Sequence, residues 1–306
     1  MRNTLASMNT FYNRRELLQR ASGAAGLAMA AQAASPKKMR LGVITYLSSN
    51  PEAAIKRVHD LGFPTCQLGI GALDDATVSR LKDALAKYNI EVTSAVATGP
   101  PPEVYDFYKG PMTIGLVPRQ YRDARIARIK QVSDFAKKAG IPGVQTHCGF
   151  IPENPNEPLY TEAVNAIRTV AQYCKENGQT FRCETGQETP ITLVRAIKDV
   201  GLDNLGINFD VGNLILYGKA NPVDAVELFG PYIMGIHAKD GLYPTNPKQL
   251  GREVAIGQGK ADFPKLIELL KKVGYQNPLT IEREIEGEKQ TQDILAAKAF
   301  LEKLIG

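Results

Sequence analysis

The chain predicts a single (β/α)8 barrel, a TIM barrel of the α/β class, over residues 36–306. Three observations carry that expectation. Short apolar runs alternate eight times with helical stretches over roughly 270 residues, close to the ~250 typical of this fold. No G-x-G-x-x-G follows the first run, which argues against a doubly wound sheet with a dinucleotide site. Acidic residues and a histidine stand where several runs end, and the carboxyl ends of barrel strands are where this fold keeps its chemistry.

Each element has its own signal. Residues 39–45 form the first strand, and Asn50-Pro51 caps a helix over 52–61 that Gly62 closes. Strand two covers 65–68 with its helix over 74–88. Strand three covers 90–97, then a Pro/Gly-rich loop (98–118) and a helix over 119–139. Strand four (143–147) leads to helix 160–177, strand five (180–184) to helix 190–200, and strand six (206–210) to helix 222–228. Strand seven (233–237) is followed by a long loop, 241–259, and a helix over 263–273. Strand eight (278–282) and a helix over 290–304 close the chain.

Residues 1–35 read as a targeting segment rather than as part of the barrel. Asn13-Arg14-Arg15-Glu16-Leu17-Leu18-Gln19 resembles the twin-arginine export motif; a weakly apolar run, Ala21 to Ala34, and a small-residue cleavage site at Ala31-Gln32-Ala33 follow it. The run is too short to span a bilayer. The expected partner is therefore the twin-arginine export machinery, the expected location the periplasm, and no membrane attachment remains after processing.

Composition narrows the function classes. The hydrophobic content of 43% is ordinary for a globular chain. Arg2, Arg14, Arg15 and Arg20 against Glu16 account for +3 of the formal charge of +5, which leaves +2 for the body and no electrostatic case for nucleic acid. Cys66, Cys148, Cys174 and Cys183 show no C-x-x-C spacing, so neither a zinc knuckle nor a redox motif is expected, only free buried thiols. A homo-oligomer is left open.

Four run ends offer a metal-ligand set. Phe181-Arg-Cys-Glu184, Gly206-Ile-Asn-Phe-Asp210, Ile233-Met-Gly-Ile-His237 and Pro278-Leu-Thr-Ile-Glu282 each stop at a donor. One such carboxylate is an ordinary solvated strand end. Three at one barrel mouth repel one another unless a cation lies between them. Three oxygen donors and one imidazole suit one divalent ion, with Mn²⁺ expected and Mg²⁺ or Co²⁺ as alternatives, whereas structural zinc usually recruits thiolates.

These residues, with Phe209-Asp-Val-Gly-Asn213, His237-Ala-Lys-Asp240, Gly257-Gln-Gly259, Asp262-Phe263 and Thr280-Ile-Glu-Arg-Glu284, resemble the sugar phosphate isomerase/epimerase family, the xylose isomerase-like barrels that include the D-tagatose 3-epimerases. The resemblance covers the chain after residue 38. It implies a sugar isomerase or epimerase whose metal is held by Glu184, Asp210, His237 and Glu282, with Glu184 and Glu282 doubling as acid and base. It also implies a small carbohydrate substrate. The tagatose-epimerase branch carries a histidine where this chain has Asn213.

Other candidates surround that set. His147 shares parity with Gln145 and should point into the barrel as a proton relay or as a buried, hydrogen-bonded side chain. Lys239 shares parity with His237 and either contacts substrate or pairs with Asp240. Gln187 and Glu188 form a capping loop or contact sugar hydroxyls. Asn213 and Arg252 are further substrate-contact candidates, and Tyr105, Phe107 and Tyr108 are either stacking surfaces or loop anchors. With only three histidines the chain does not suit the three-zinc site of endonuclease IV. Two further readings stay open: a lyase or hydratase on 3-keto-glycosides acting through the same enolate, and a non-catalytic sugar-binding barrel.

Overall fold

The computed structural model describes residues 39–306; the expected export signal, residues 1–35, lies outside them. Eight parallel strands close into the expected barrel. They are β1 (Leu41–Tyr46), β2 (Thr65–Gly69), β3 (Glu91–Val96), β4 (Gly143–His147), β5 (Thr180–Glu184), β6 (Leu205–Asp210), β7 (Ile233–Ala238) and β10 (Leu279–Ile281), with β10 hydrogen-bonded to both β7 and β1. Between them run helices α1 (Pro51–Asp60), α2 (Asp75–Tyr88), α4 (Arg119–Ala139), α5 (Pro158–Glu176), α6 (Pro190–Val200), α8 (Pro222–Phe229), α9 (Phe263–Lys272) and α10 (Glu288–Ile305).

The main core lies between the strands and the helices. Alternation places Val144, Phe181, Cys183, Ile207 and Phe209, all fully buried, on the outward faces of their strands. Each such large apolar side chain removed from water contributes ~1.5–3 kcal/mol. The inward faces of the same strands carry Gln145, Arg182, Glu184, Asn208 and Asp210, so the barrel interior is polar where most barrels are filled by branched apolar residues. The four cysteines are buried free thiols, with the sulfurs of Cys148 and Cys183 2.7 Å apart.

Three features depart from the expected elements. Strand β6 runs directly into a helix, α7 (Val211–Leu216), because the Asp210 carboxylate accepts the Asn213 N–H at 2.7 Å and caps it. The loop over 98–118 contains one helical turn, α3 (Gly110–Thr113). The long loop after β7 contains an antiparallel hairpin, β8 (Asp240–Leu242) with β9 (Arg252–Val254). Among the described residues no helix is long and apolar enough to cross a membrane.

Candidate active site

Strand register sets the level of the site. His147 is paired with Glu184 across β4 and β5, and Asp210 with His237 across β6 and β7, so these side chains leave the sheet at its carboxyl end and point inward. Glu282 follows the last residue of β10, and its N–H donates to Ala238 O at 3.0 Å, which ties it to the end of β7. One ligand atom from each of Glu184, Asp210, His237 and Glu282 lies within 4.8 Å of all the others, and all four residues are buried.

The arrangement fits a cation at its centre. His237 Nδ1 faces Glu184 Oε1 at 2.9 Å, Glu282 Oε2 at 3.1 Å and Asp210 Oδ2 at 3.7 Å. Ligand atoms ~2.1 Å from one ion in an octahedral arrangement would stand about 3.0 Å apart. His237 Nδ1 and Asp210 Oδ2 are both buried without a hydrogen-bond partner, as expected of atoms aimed at an ion. The opposite ring nitrogen, Nε2, contacts Gln67 Oε1 at 2.6 Å, and Gln67 Nε2 donates to Asn208 Oδ1 at 3.1 Å. An Nε2–H donated to Gln67 leaves the Nδ1 lone pair directed at the carboxylates.

Charge balance points the same way. The cluster holds three buried carboxylates. One buried ammonium, Lys239, stands 3.4 Å from Glu282 and 3.7 Å from Asp210, so two negative charges remain to be matched. Burial pushes the Asp210 carboxyl up to about 6, with the Lys239 ammonium opposing the shift. Burial also raises Glu282, but Lys239 and His237 outweigh it and hold that carboxyl well below the usual range. Burial lowers His237, yet Glu184 and Glu282 overcome that and raise it well above its ordinary value, so a proton there serves as counter-charge when no other cation does.

The remaining candidates divide. His147 lines the cavity, its Nε2 3.7 Å from Glu184 Oε1, with the Tyr105 ring centred 5.6 Å away. Lys239 enters the cluster as parity required, but its partners are Glu284 at 2.6 Å and Glu282, not Asp240. Asp240 instead accepts four backbone N–H groups from its own loop. The stem of Lys239 passes over Gly212, where a Cβ would lie 2.6 Å from its Cγ, which explains the glycine of Asp210-Val-Gly212-Asn213. Asn213 lines the cavity.

Gln187 and Glu188 are buried but do not line the cavity, and no side chain caps α6, so the capping role does not hold. Among the described residues neither side chain has an ion-pair partner, and burial pushes Glu188 up to about 7. Arg252 is exposed on β9, off the cavity. Tyr105 lines the cavity, Phe107 packs edge-on against Tyr217 in an outer hollow, and Tyr108 is exposed. Several lining residues were not singled out as site candidates from the sequence: Tyr46, Glu103, Tyr217, Leu250 and Glu284, the last quoted only as the end of a motif, surround a cavity of about 340 Å³ above the quartet. Tyr46 and Glu284 lie one or two residues beyond strand-end positions, so reading each run a little further would have found them.

A closed parallel barrel with an acidic, histidine-containing cluster at its carboxyl mouth that could hold a metal ion defines a class of α/β barrels. Within that class, residues 55–304 match the xylose isomerase-like TIM barrel family, and the chain belongs to it. A xylose isomerase domain protein from Planctomyces limnophilus is 34% identical, with 87% of this chain and 97% of that one aligned at a TM-score of 0.82. A D-tagatose 3-epimerase-like protein is 20% identical over 87% and 97% of the two chains, with a TM-score of 0.68. A 3-keto-D-glucoside 4-epimerase from E. coli is 17% identical over 87% of this chain and 100% of that one, with a TM-score of 0.65; these last two likenesses are of fold. The chain spans about half the length of the curated relatives it matches, among them an uncharacterized protein of Methanocaldococcus jannaschii, 28% identical over 53% of this chain and 56% of that one.

Proposed function

We propose that the protein is a divalent-metal-dependent sugar isomerase or epimerase that removes a proton from the carbon next to a carbonyl and returns it through an ene-diolate. The observation that carries this reading is the buried quartet Glu184, Asp210, His237 and Glu282, with ligand atoms within 4.8 Å of one another and Nδ1 of His237 unpartnered. These four side chains would hold the ion, Mn²⁺ in the first place with Mg²⁺ or Co²⁺ as alternatives, which supplies Lewis-acid polarisation of the substrate's carbonyl oxygen.

The chain's own residues perform the rest. Glu184 and Glu282 reach the centre from different strands, so one takes the proton and the other delivers it, to the opposite face in epimerisation or to the adjacent carbon in isomerisation. Lys239, withdrawn from water beside Glu282 and Glu284, places a fixed positive charge where the ene-diolate oxygens develop charge. His147, 3.7 Å from Glu184, passes the proton between Glu184 and the solvent-facing cavity. Tyr105 and Tyr217 form the aromatic walls against which a sugar ring packs.

His147 also supports a second reading. An acid beside Glu184 would protonate a leaving group, and β-elimination from a 3-keto-glycoside through the same enolate would make the protein a lyase or hydratase. One experiment separates the readings. The metal-loaded protein is incubated in D₂O with keto-sugars and with 3-keto-glucosides and followed by NMR. Deuterium at a carbon next to the carbonyl supports the isomerase, loss of the β-substituent supports the lyase, and neither with retained sugar binding supports a binding barrel. Export to the periplasm through residues 1–35 belongs to the same proposal; cell fractionation with N-terminal sequencing of the mature chain tests it.

A further inference from the structure

A second space of about 370 Å³ adjoins the cavity over the quartet at Tyr46, and Ile44, Tyr46, Glu282 and Glu284 line both. Tyr46 stands between them as a platform. It is 59% exposed, unusual for an aromatic at the rim of a buried polar site. Its ring is nevertheless seated, because it lies against Gly69 so closely that a Cβ there would come within 2.3 Å of Cδ1. An aromatic face held in place but left open suits the C–H face of a sugar ring.

The lining of the second lobe indicates what it would accept. Thr45, Arg57, Arg283, Glu284, Glu286 and Gln290 mix donors and acceptors, the pairing that hydroxyl groups satisfy from both sides. Arg283 is not free for a phosphate, since it pairs with Glu253 and Asp293, both at 2.9 Å; Arg57 donates one N–H to the neutral Gln290 Oε1 at 2.9 Å and keeps donors for hydroxyl groups. Glu282, Glu284 and Glu286 add three carboxylates, which oppose an anion. The other hollow near the site, lined by Phe107, Tyr243 and Pro244, shares only Tyr217 with the central cavity.

We propose that the site accepts a neutral two-unit carbohydrate, a disaccharide or glycoside, with the reacting ring over Glu184, Asp210, His237 and Glu282 and the second unit stacked on Tyr46 in the lobe behind it. This assignment rests on the sugar-enzyme reading above. It adds a second binding subsite and excludes a phosphorylated sugar.

The test uses the full chain loaded with Mg²⁺, and saturation-transfer NMR and calorimetry with D-fructose, the ketose disaccharides isomaltulose and turanose, and D-fructose 6-phosphate. At least one disaccharide is expected to bind ten-fold or more tightly than fructose, and the phosphate ester no better than fructose. Tyr46→Ala, and separately Gln290→Trp, which fills the lobe from its far wall, should each bring the disaccharide-to-fructose affinity ratio close to one. Circular dichroism confirms that both variants are folded, and either folded variant suffices to decide. Equal affinity for fructose and both disaccharides in the unaltered protein, a ratio that survives in the folded variants, or preferential binding of the phosphate ester overturns the two-unit assignment while leaving the sugar-enzyme reading intact. Failure of every sugar to bind the unaltered protein overturns both.

Discussion

The two long loops at the barrel mouth are held by opposite means. The loop over 98–118 is gathered on a cation: the buried guanidinium of Arg125 on α4 donates to Gly115 O at 2.6 Å, Pro102 O at 2.8 Å and Thr113 O, with Pro100 O at 3.5 Å. The loop after β7 is gathered on an anion. Asp240 Oδ1 accepts from Gly241 N at 2.8 Å and Ala261 N at 3.1 Å, and Oδ2 accepts from Gly257 N and Gly259 N, both at 2.9 Å. A loop that buries backbone must satisfy its polar groups, and one charged side chain does this for several peptide units at once. The hubs also differ in what they present. The Arg125 loop carries Glu103 and Tyr105 into the cavity, whereas among residues 241–259 only Leu250 lines it.

The comparison separates groups that build the mouth from groups that do chemistry there, and the largest expected effect tests that separation. Glu282→Gln keeps an oxygen for the ion but cannot accept a proton, so turnover should fall by on the order of 10³-fold or more while thermal stability and Mn²⁺ affinity change comparatively little. His237→Ala should behave oppositely, with weakened metal binding and activity partly restored by excess Mn²⁺. Equal rescue of both variants would reduce Glu282 to a ligand and move the proton transfer elsewhere.

Next come the hubs themselves. Asp240→Ala strands four N–H groups, those of Gly241 and Ala261 buried, and should cost about 4 kcal/mol in denaturant unfolding, since orphaned buried N–H groups are the least tolerated. Arg125→Ala strands carbonyls instead, which tolerate an unmade hydrogen bond better than N–H groups do, and should cost about 3 kcal/mol. Its functional effect should be the larger of the two, a raised KM, because its loop carries Tyr105. Asp240→Ala raising KM more than Arg125→Ala would break the comparison.

Glu188 contrasts with both hubs, being a buried carboxyl without an ion-pair partner among the described residues. Burial pushes its carboxyl up to about 7, opposed by its own backbone N–H, His147 and Lys219, so the folded state binds more protons than the unfolded state between the ordinary carboxylate range and that value. The contribution of this group to stability is fully present below the ordinary carboxylate range and is lost as pH rises through about 7. Glu188→Gln should remove this slope and stabilise the protein at pH 8 by at most about 3 kcal/mol, measured by unfolding at pH 5 and pH 8. Gly259→Ala is expected to have the smallest effect, about 2 kcal/mol, because the added Cβ would meet Asp240 Oδ1 at 2.1 Å and push the hub off its amides. A Gly259→Ala protein as stable as the unaltered one would show that the Asp240 loop re-forms around another geometry.

Much of this was legible in the sequence, because strand periodicity and strand ends are local. The eight alternations, the Asn50 cap, and the donors Glu184, Asp210, His237 and Glu282 are read from runs of five or six residues that stop at a polar side chain. Parity along one strand likewise placed Gln145, His147 and Lys239 inside. Tertiary structure decided whatever depended on register between strands and on the paths of loops. Nothing local reveals that Gln67 on β2 orients His237 on β7, 170 residues away, or that Tyr46 separates two lobes. Arg125 is one more arginine on a helix with several, and only the fold turns it toward the carbonyls of a loop ten or more residues earlier. Asp240 and Lys239 are neighbours for which local reading leaves two options, a pair with each other or a substrate contact for the lysine. The strand end sends one side chain into the barrel and the other into its own loop, because successive residues of a strand face opposite ways.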